Sequence, residues 1–251
     1  WHIECSAMSM KLLGTSFDLH LGGEDLAFPH HEDEIAQSEG ATGEPFVKHW
    51  LHGAHLLVEG KKMSKSLGNF FVLNDLLEKG FEGRDIRQLM ISAHYRETFN
   101  FTLSGLSGAR TALARIDECV TKLRETSDNV ENQPEAETIE KFTAALDDDL
   151  NISSAWAVVF DWVRETNRKL TSSMSSDSAA MALATWKKLD AVLGVGKTDE
   201  AVPEDILAKV EQRNVARQAK DFSTSDAIRD ELQSAGWVIE DTPSGARAKR
   251  I

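Results

Sequence analysis

The stretch from Asp18 to Glu39, DLHLGGEDLAFPHHEDEIAQSE, constrains the chain more than any other. It sets three histidines, two adjacent glycines and a dense run of carboxylates ahead of a helical tail. A helix that begins near Pro29 places His30 and Glu34, four residues apart, on one face. An imidazole and a carboxylate at that spacing can grip one metal ion, and Cys5 upstream is the candidate third ligand. A Cys, His, Glu set favours zinc. It leaves one position on the metal that this chain does not obviously fill. The plainer reading of Cys5 alone is a small buried hydrophobe. His31 competes as a ligand, but no carboxylate follows it four residues later.

The 251 residues allow two or three domains and a sizeable core. No apolar run approaches bilayer length and no secretory signal precedes the first element, so no membrane association is expected. With only Cys5 and Cys119 present, a disulfide framework is not expected and a reducing cytoplasm fits. Cys119, on a helical pattern, reads as structural. The chain opens on Trp1 in what looks like mid-element, so its natural N-terminus is expected upstream. The net charge of -13 argues against nucleic acid, which needs local positive charge. That average hides a more basic end, where Lys209, Arg213, Arg217, Lys220 and Arg229 outnumber Glu211, Asp221 and Asp226, and Arg247, Lys249 and Arg250 follow.

Residues 1 to 28 read as short strands and turns, with Phe17–His20 a buried strand running into Gly22-Gly23. A helix is expected over 30–39, a strand at His55–Val58, a short helix capped by Asn74 and closed by Gly80, and another helix from Asp85 to Tyr95. Between them lies Lys61-Lys62-Met63-Ser64-Lys65-Ser66-Leu67-Gly68-Asn69-Phe70. Such a loop is mobile and rich in donors, and suits a triphosphate whose charge gathers on leaving pyrophosphate. From Ser104 apolar residues recur at three and four, giving helices near 104–123, 139–146, 152–170 and 181–193, which suggests a bundle. After a linker to Val202, Pro203 opens a helix, a second starts at Ser223, Trp237–Asp241 is a strand, and Pro243-Ser244-Gly245 a turn.

Taken together, these residues resemble one family. HxGGxDLxFPHHExE, here His20 to Glu34, with Lys62-Met63-Ser64-Lys65-Ser66, is similar to cysteinyl-tRNA synthetase. So are Ser92–Arg96, Ala145–Asn151, Ala216–Phe222 and Glu240–Thr242. The resemblance implies an α/β plus all-α chain: the second half of a Rossmann-like catalytic domain over 1–100, a DALR-like helical bundle over 101–195, and a small mixed anticodon-binding domain over 203–251. It implies ATP-dependent charging of tRNA(Cys) with cysteine, ATP arriving with Mg2+, by a cytoplasmic monomer. Zinc would be held by Cys5, His30 and Glu34. The family takes its fourth ligand from a cysteine before an HIGH motif, and neither stands here; the isolated chain is therefore expected to make no cysteinyl-adenylate.

By the same resemblance Trp1 would line the amino-acid pocket. His20, Gly22, Gly23 and Asp25 would meet ATP, the glycines because backbone must come close. Lys62, Met63, Ser64, Lys65 and Ser66 would hold its phosphates, with Lys65 on the pyrophosphate. Arg217, Asp226 and Asp241 fall where the family reads anticodon bases. Ser223-x-x-Asp226 also fits a helix capping box. The tail departs from the family's GTxWR pattern at Ala246 and Ala248. Two rival readings are a ligase that joins cysteine to an amino-sugar, and a non-catalytic tRNA-binding paralogue.

Overall fold

The computed structural model describes residues 1–128, 132–197, 203–242 and 245–250, in two compact units, Trp1–Gly196 and the segment from Lys197 onward. The chain is mixed α/β, with small sheets and many helices.

The start of the chain differs from the expected strands. His2–Leu13 form a helix, α1. The three- and four-residue spacing of His2, Cys5 and Ser6 puts them on one face, but weak alternation over Trp1–Cys5 masked it. Of α1 only Ser6 is fully buried, and its Oγ donates to Gln37 Oε1 at 2.9 Å. Gln37 belongs to α2, Glu32–Thr42. His2 Nε2 also lies 3.4 Å from Asp33 of α2. These contacts lay α1 along α2.

The strand β1, Phe17–Gly23, is longer than expected and, apart from Phe17, is not buried as expected; it pairs in parallel with β2, Val47–Gly53. Parallel strands need a crossover, and α2 supplies it. Pairing Leu21 with Leu51 and Gly22 with His52 brings the C-terminal strand ends, where α/β sheets place their ligands, beside the start of α2.

A second sheet combines β3, Leu56–Val58, with antiparallel β4, Lys61–Lys62, and parallel β5, Phe99–Phe101. Val58, Phe101, Leu76 of α3 (Leu73–Glu78) and Leu89 of α4 (Gly83–Met90) share one core. Asn74 does not cap α3: the Asp75 carboxylate accepts from Val72 N at 2.8 Å. Likewise Asp85, expected to open α4, lies inside it and accepts from Glu82 N at 3.0 Å. That helix stops at Met90, short of Tyr95.

The four expected helices are α5 (Leu103–Thr126), α6 (Ala136–Asp147), α7 (Ile152–Thr171) and α8 (Ser176–Leu193). Their core holds Ile116, Leu123, Phe142, Val159, Trp162, Trp186 and Leu189. The last begins five residues before Met181 because Ser175 caps it, accepting from Ser178 N at 3.3 Å. Two polar clamps join the bundle to the residues before it. Arg84 forks onto Asp117 at 2.8 and 2.7 Å. Asp149 accepts from Tyr95 Oη and Arg96 Nε, both at 2.6 Å.

The second unit contains α9 (Glu204–Gln218), α10 (Phe222–Ser234) and an antiparallel pair, β6 (Trp237–Thr242) and β7 (Gly245–Arg250). Ile206, Val210, Leu232, Trp237 and Ala248 form its core. Pro203 caps α9 rather than occupying its first turn, and Asp221 caps α10, accepting from Thr224 N at 3.1 Å. The Ser223 capping box is therefore not formed. Strand β7 was not expected, since Ala-Arg-Ala-Lys carries no β-branched residue. Residues 243 and 244 of the expected turn, and 198–202 of the linker, lie outside the described residues. Among the described residues no helix is long and apolar enough to cross a membrane.

Candidate metal centre and phosphate loop

Three elements meet at the N-terminal end of α2. The short turn Ala27–His31 delivers His30, α2 itself delivers Glu34, and α1 delivers Cys5. His31 already has helical backbone angles, so the turn runs into α2 and keeps His30 and Glu34 one helical turn apart. One ligand atom from each of Cys5, His30 and Glu34 lies within 4.8 Å of the others.

Glu34 is the unusual member. It is 0% exposed, and neither carboxylate oxygen has a hydrogen-bond partner. Oε1 sits 2.7 Å from His30 Nε2, off the line of a hydrogen bond, and Oε2 sits 3.6 Å from His20 Nε2. Burial raises the carboxyl above its usual range, with His20 and His2 opposing it. A buried carboxylate without donors costs several kcal/mol unless it is protonated or meets a cation, by about the known penalties for buried charge. Orphaned oxygens beside a thiol and an imidazole fit a borderline-soft divalent ion. Trp1 stands over His30 with ring centroids 4.1 Å apart while remaining 70% exposed, so it walls the site on the solvent side.

A wall of rings backs the cluster. His20 stacks on Trp50 at 4.7 Å, and His31 lies 4.8 Å from the same indole. His31 Nδ1 is 2.8 Å from His52 Nε2. Burial, with His20, His52 and His30 adding to it, pushes His31 down from 6.5 to about 4. The stability this group gives the metal-free chain is complete above pH 6.5 and is lost as pH falls toward 4, because only the unfolded ring takes up a proton there. The ring's NMR titration in the metal-free chain should have its midpoint near 4; a midpoint near 6.5 would contradict this enclosure.

Gly22 has a physical reason of its own. A Cβ there would lie 2.5 Å from His31 Cε1, so alanine would displace the ring. At Gly23 a Cβ would lie 2.5 Å from Asp25 Oδ1, so glycine lets that exposed carboxylate fold back.

The Lys62–Ser66 loop follows β4. Lys62, Met63, Lys65 and Ser66 are exposed, and Lys65 Nζ lies 5.4 Å over the Phe70 ring. Ser64 and Ser66 hydroxyls are 2.7 Å apart. The loop's organiser is Asn69, which the sequence reading left unassigned. It is buried; its Oδ1 accepts from Ser64 N at 2.9 Å, and its Nδ2 donates to Val58 O at 3.0 Å and Lys62 O at 3.2 Å. Its three backbone partners all precede it in the chain, and only the fold brings them to the amide. His2, Trp50 and His52 were also missed, each lying outside the HxGGxDLxFPHHExE string.

The residues proposed for anticodon reading lie in the second unit. Arg217 and Asp226 are exposed, and Asp226 is 3.1 Å from Arg229 Nη1. Asp241 lies on β6, its side chain outside what the structure describes.

The family model for the tRNA synthetases class I (C) catalytic domain matches residues 1–111, and that for the DALR domain matches 141–197. A cysteine–tRNA ligase of Chlamydia muridarum is 45% identical over the whole chain. One of Protochlamydia amoebophila is 44% identical, again over 100% of the chain. Over its whole length the chain is similar to cysteine–tRNA ligases. It spans 56% of the Chlamydia muridarum relative and 54% of the Protochlamydia amoebophila one. The fold also matches LeuRS of Agrobacterium radiobacter K84, solved as a ternary complex with tRNA and LeuAMS, with a TM-score of 0.55 and 20% identity over 69% of this chain and 25% of that one. The catalytic-domain match covers both the Cys5–His30–Glu34 cluster and the Lys62–Ser66 loop.

The chain's second cysteine, Cys119, is chemically separate from the cluster. It is 0% exposed in the bundle core, and burial pushes its thiol up to about 11. Iodoacetamide at mildly alkaline pH should therefore label Cys5 long before Cys119, and zinc should protect Cys5. Peptide mass spectrometry reads both sites; equal labelling in the folded chain would contradict the packing.

Proposed function

We propose that this chain supplies the zinc-bearing, phosphate-holding half of a cysteine–tRNA ligase, together with the helical and C-terminal parts that hold tRNA(Cys). The observation that carries this reading is Glu34: a wholly buried carboxylate whose oxygens lack donors, set among Cys5 and His30. These three residues would hold zinc. When bound, the ion supplies a Lewis-acid centre that takes a thiolate far better than a hydroxyl, which rejects serine without editing.

The chain's own residues account for the rest. Trp1, over His30, walls off the amino acid's side chain. The ends of β1 and β2, with Gly22, Gly23 and Asp25, offer backbone and a carboxylate to the adenosine. The cysteine carboxylate attacks the α-phosphate of ATP, delivered with Mg2+, and pyrophosphate leaves. Lys65 and Lys62 meet the charge that builds on that leaving group, with Ser64 and Ser66 as further donors. Asn69 fixes the loop from below. No side-chain nucleophile is required. In the second unit Arg217, Asp226 and Asp241 would face the anticodon, Asp226 after release from Arg229; a compact second unit favours a tRNA substrate over an amino-sugar.

The chain alone is expected to be inactive. Parallel sheets are ordinarily covered on both faces, and among the described residues β1 pairs only with β2. Beside that pair Leu12, Leu21 and Phe28 are 78%, 59% and 78% exposed. We infer that the other half of the nucleotide-binding domain covers them. Cysteine-dependent exchange of pyrophosphate into ATP should be absent for the 251-residue chain and present once that half is joined. Exchange by the chain alone sinks the inactivity claim. If the joined protein binds tRNA without exchange, it is a non-catalytic binder.

A further inference from the structure

The cluster contains a second donor set that overlaps the first. One ligand atom each from His20, His31 and Glu34 also lies within 4.8 Å of the others. His31 and Glu34 are buried, and His20 is half-buried. The two sets share Glu34 but approach it from different sides. Its Oε1 faces His30 at 2.7 Å, and its Oε2 faces His20 at 3.6 Å. Both oxygens lack hydrogen-bond partners. The second set is also backed as metal-binding histidines commonly are: His31 is fixed through Nδ1 to His52 Nε2 at 2.8 Å, and His20 is stacked on Trp50.

The geometry points to a second, sulfur-free seat for a divalent cation, formed by His20, His31 and Glu34, which fills alternately with the Cys5–His30–Glu34 seat. Alternation follows from charge. Two divalent ions against one thiolate and one shared carboxylate leave uncompensated positive charge in a buried place. One ion therefore occupies one seat, and the sulfur side wins for zinc because thiolate is the softer ligand. When Cys5 is missing or blocked, the ion moves to the imidazoles. The ion is then held without sulfur.

This inference uses the same Glu34 as the proposed function, but its test separates the two. Cobalt replaces silent zinc, because thiolate ligation gives a charge-transfer band and imidazole–carboxylate ligation gives only d–d bands. The full chain should bind one equivalent of Co2+ with the charge-transfer band. Cys5→Ala should still bind one equivalent, now without that band. In the Cys5→Ala background, His30→Ala should leave binding unchanged. His20→Ala with His31→Ala should weaken it by more than about a hundredfold, since losing an outer-shell partner alone costs about 10–100-fold. Far-UV circular dichroism and the melting transition confirm that each variant is folded. The second seat is overturned if folded Cys5→Ala binds no cobalt, or if losing His20 and His31 leaves its binding intact. The first seat fails independently, if the unmodified chain binds cobalt without a thiolate band.

Discussion

Replacing Glu34 with glutamine should make the metal-free chain more stable and abolish its stabilisation by zinc. Glutamine keeps the shape and removes a buried charge whose oxygens have no donors. Relieving such a group is worth on the order of 1–3 kcal/mol. The sign also shows in pH. The folded-state carboxyl is raised, so its unfavourable contribution grows as pH climbs through that raised value and vanishes below the unfolded one. Glu34→Gln should flatten that part of the metal-free stability curve. With zinc at about a thousandfold above its dissociation constant, the unmodified chain should gain about 4 kcal/mol, and Glu34→Gln almost none. Thermal melts with and without zinc check both halves. A variant that loses stability without metal and keeps its zinc response would show that Glu34 is an ordinary structural residue.

The second large effect concerns the phosphate loop. In the protein joined to the rest of its nucleotide-binding domain, Lys65→Ala should lower pyrophosphate-exchange kcat by about a hundred- to a thousandfold, the usual cost of losing a transition-state charge partner. Its KM for cysteine should barely move, because Lys65 lies on the loop that follows β4, not in the metal cluster. Asn69→Ala should lower kcat by a similar route, at smaller scale, and also destabilise the fold. It strips Ser64 N of its acceptor and takes one donor each from Val58 O and Lys62 O, at about 1 kcal/mol for each bond. Asn69→Asp separates these roles, since it keeps the acceptor and loses the donors. If Lys65→Ala changes KM for cysteine and leaves kcat alone, the loop does not serve the leaving group.

The proposed metal cluster was legible because two of its residues carry their own spacing. His30 and Glu34 hold a helical spacing that survives the irregular turn before α2. Cys5 lies beside His30 and Glu34 as expected, but on a helix rather than a strand. Helix α1 buries only Ser6, so it lacks the apolar stripe from which helices are read. The bundle was easy for the opposite reason: its apolar residues recur at three and four through α5 to α8. Asn69 and His52 were illegible because their roles arise from contacts between a strand and a distant non-strand segment, which no local pattern encodes. Gly22 was expected to be glycine for a ligand's sake, yet the His31 ring already requires it.

Cys5, His30 and Glu34 are proposed to hold a metal that recognises a thiol. The most direct test of this proposal is to load the chain with one equivalent of Co2+ and titrate in L-cysteine or L-serine. The thiolate charge-transfer band should grow and saturate with one cysteine per chain, and serine at the same concentration should leave it unchanged. A band that ignores cysteine, or responds equally to serine, would contradict the account.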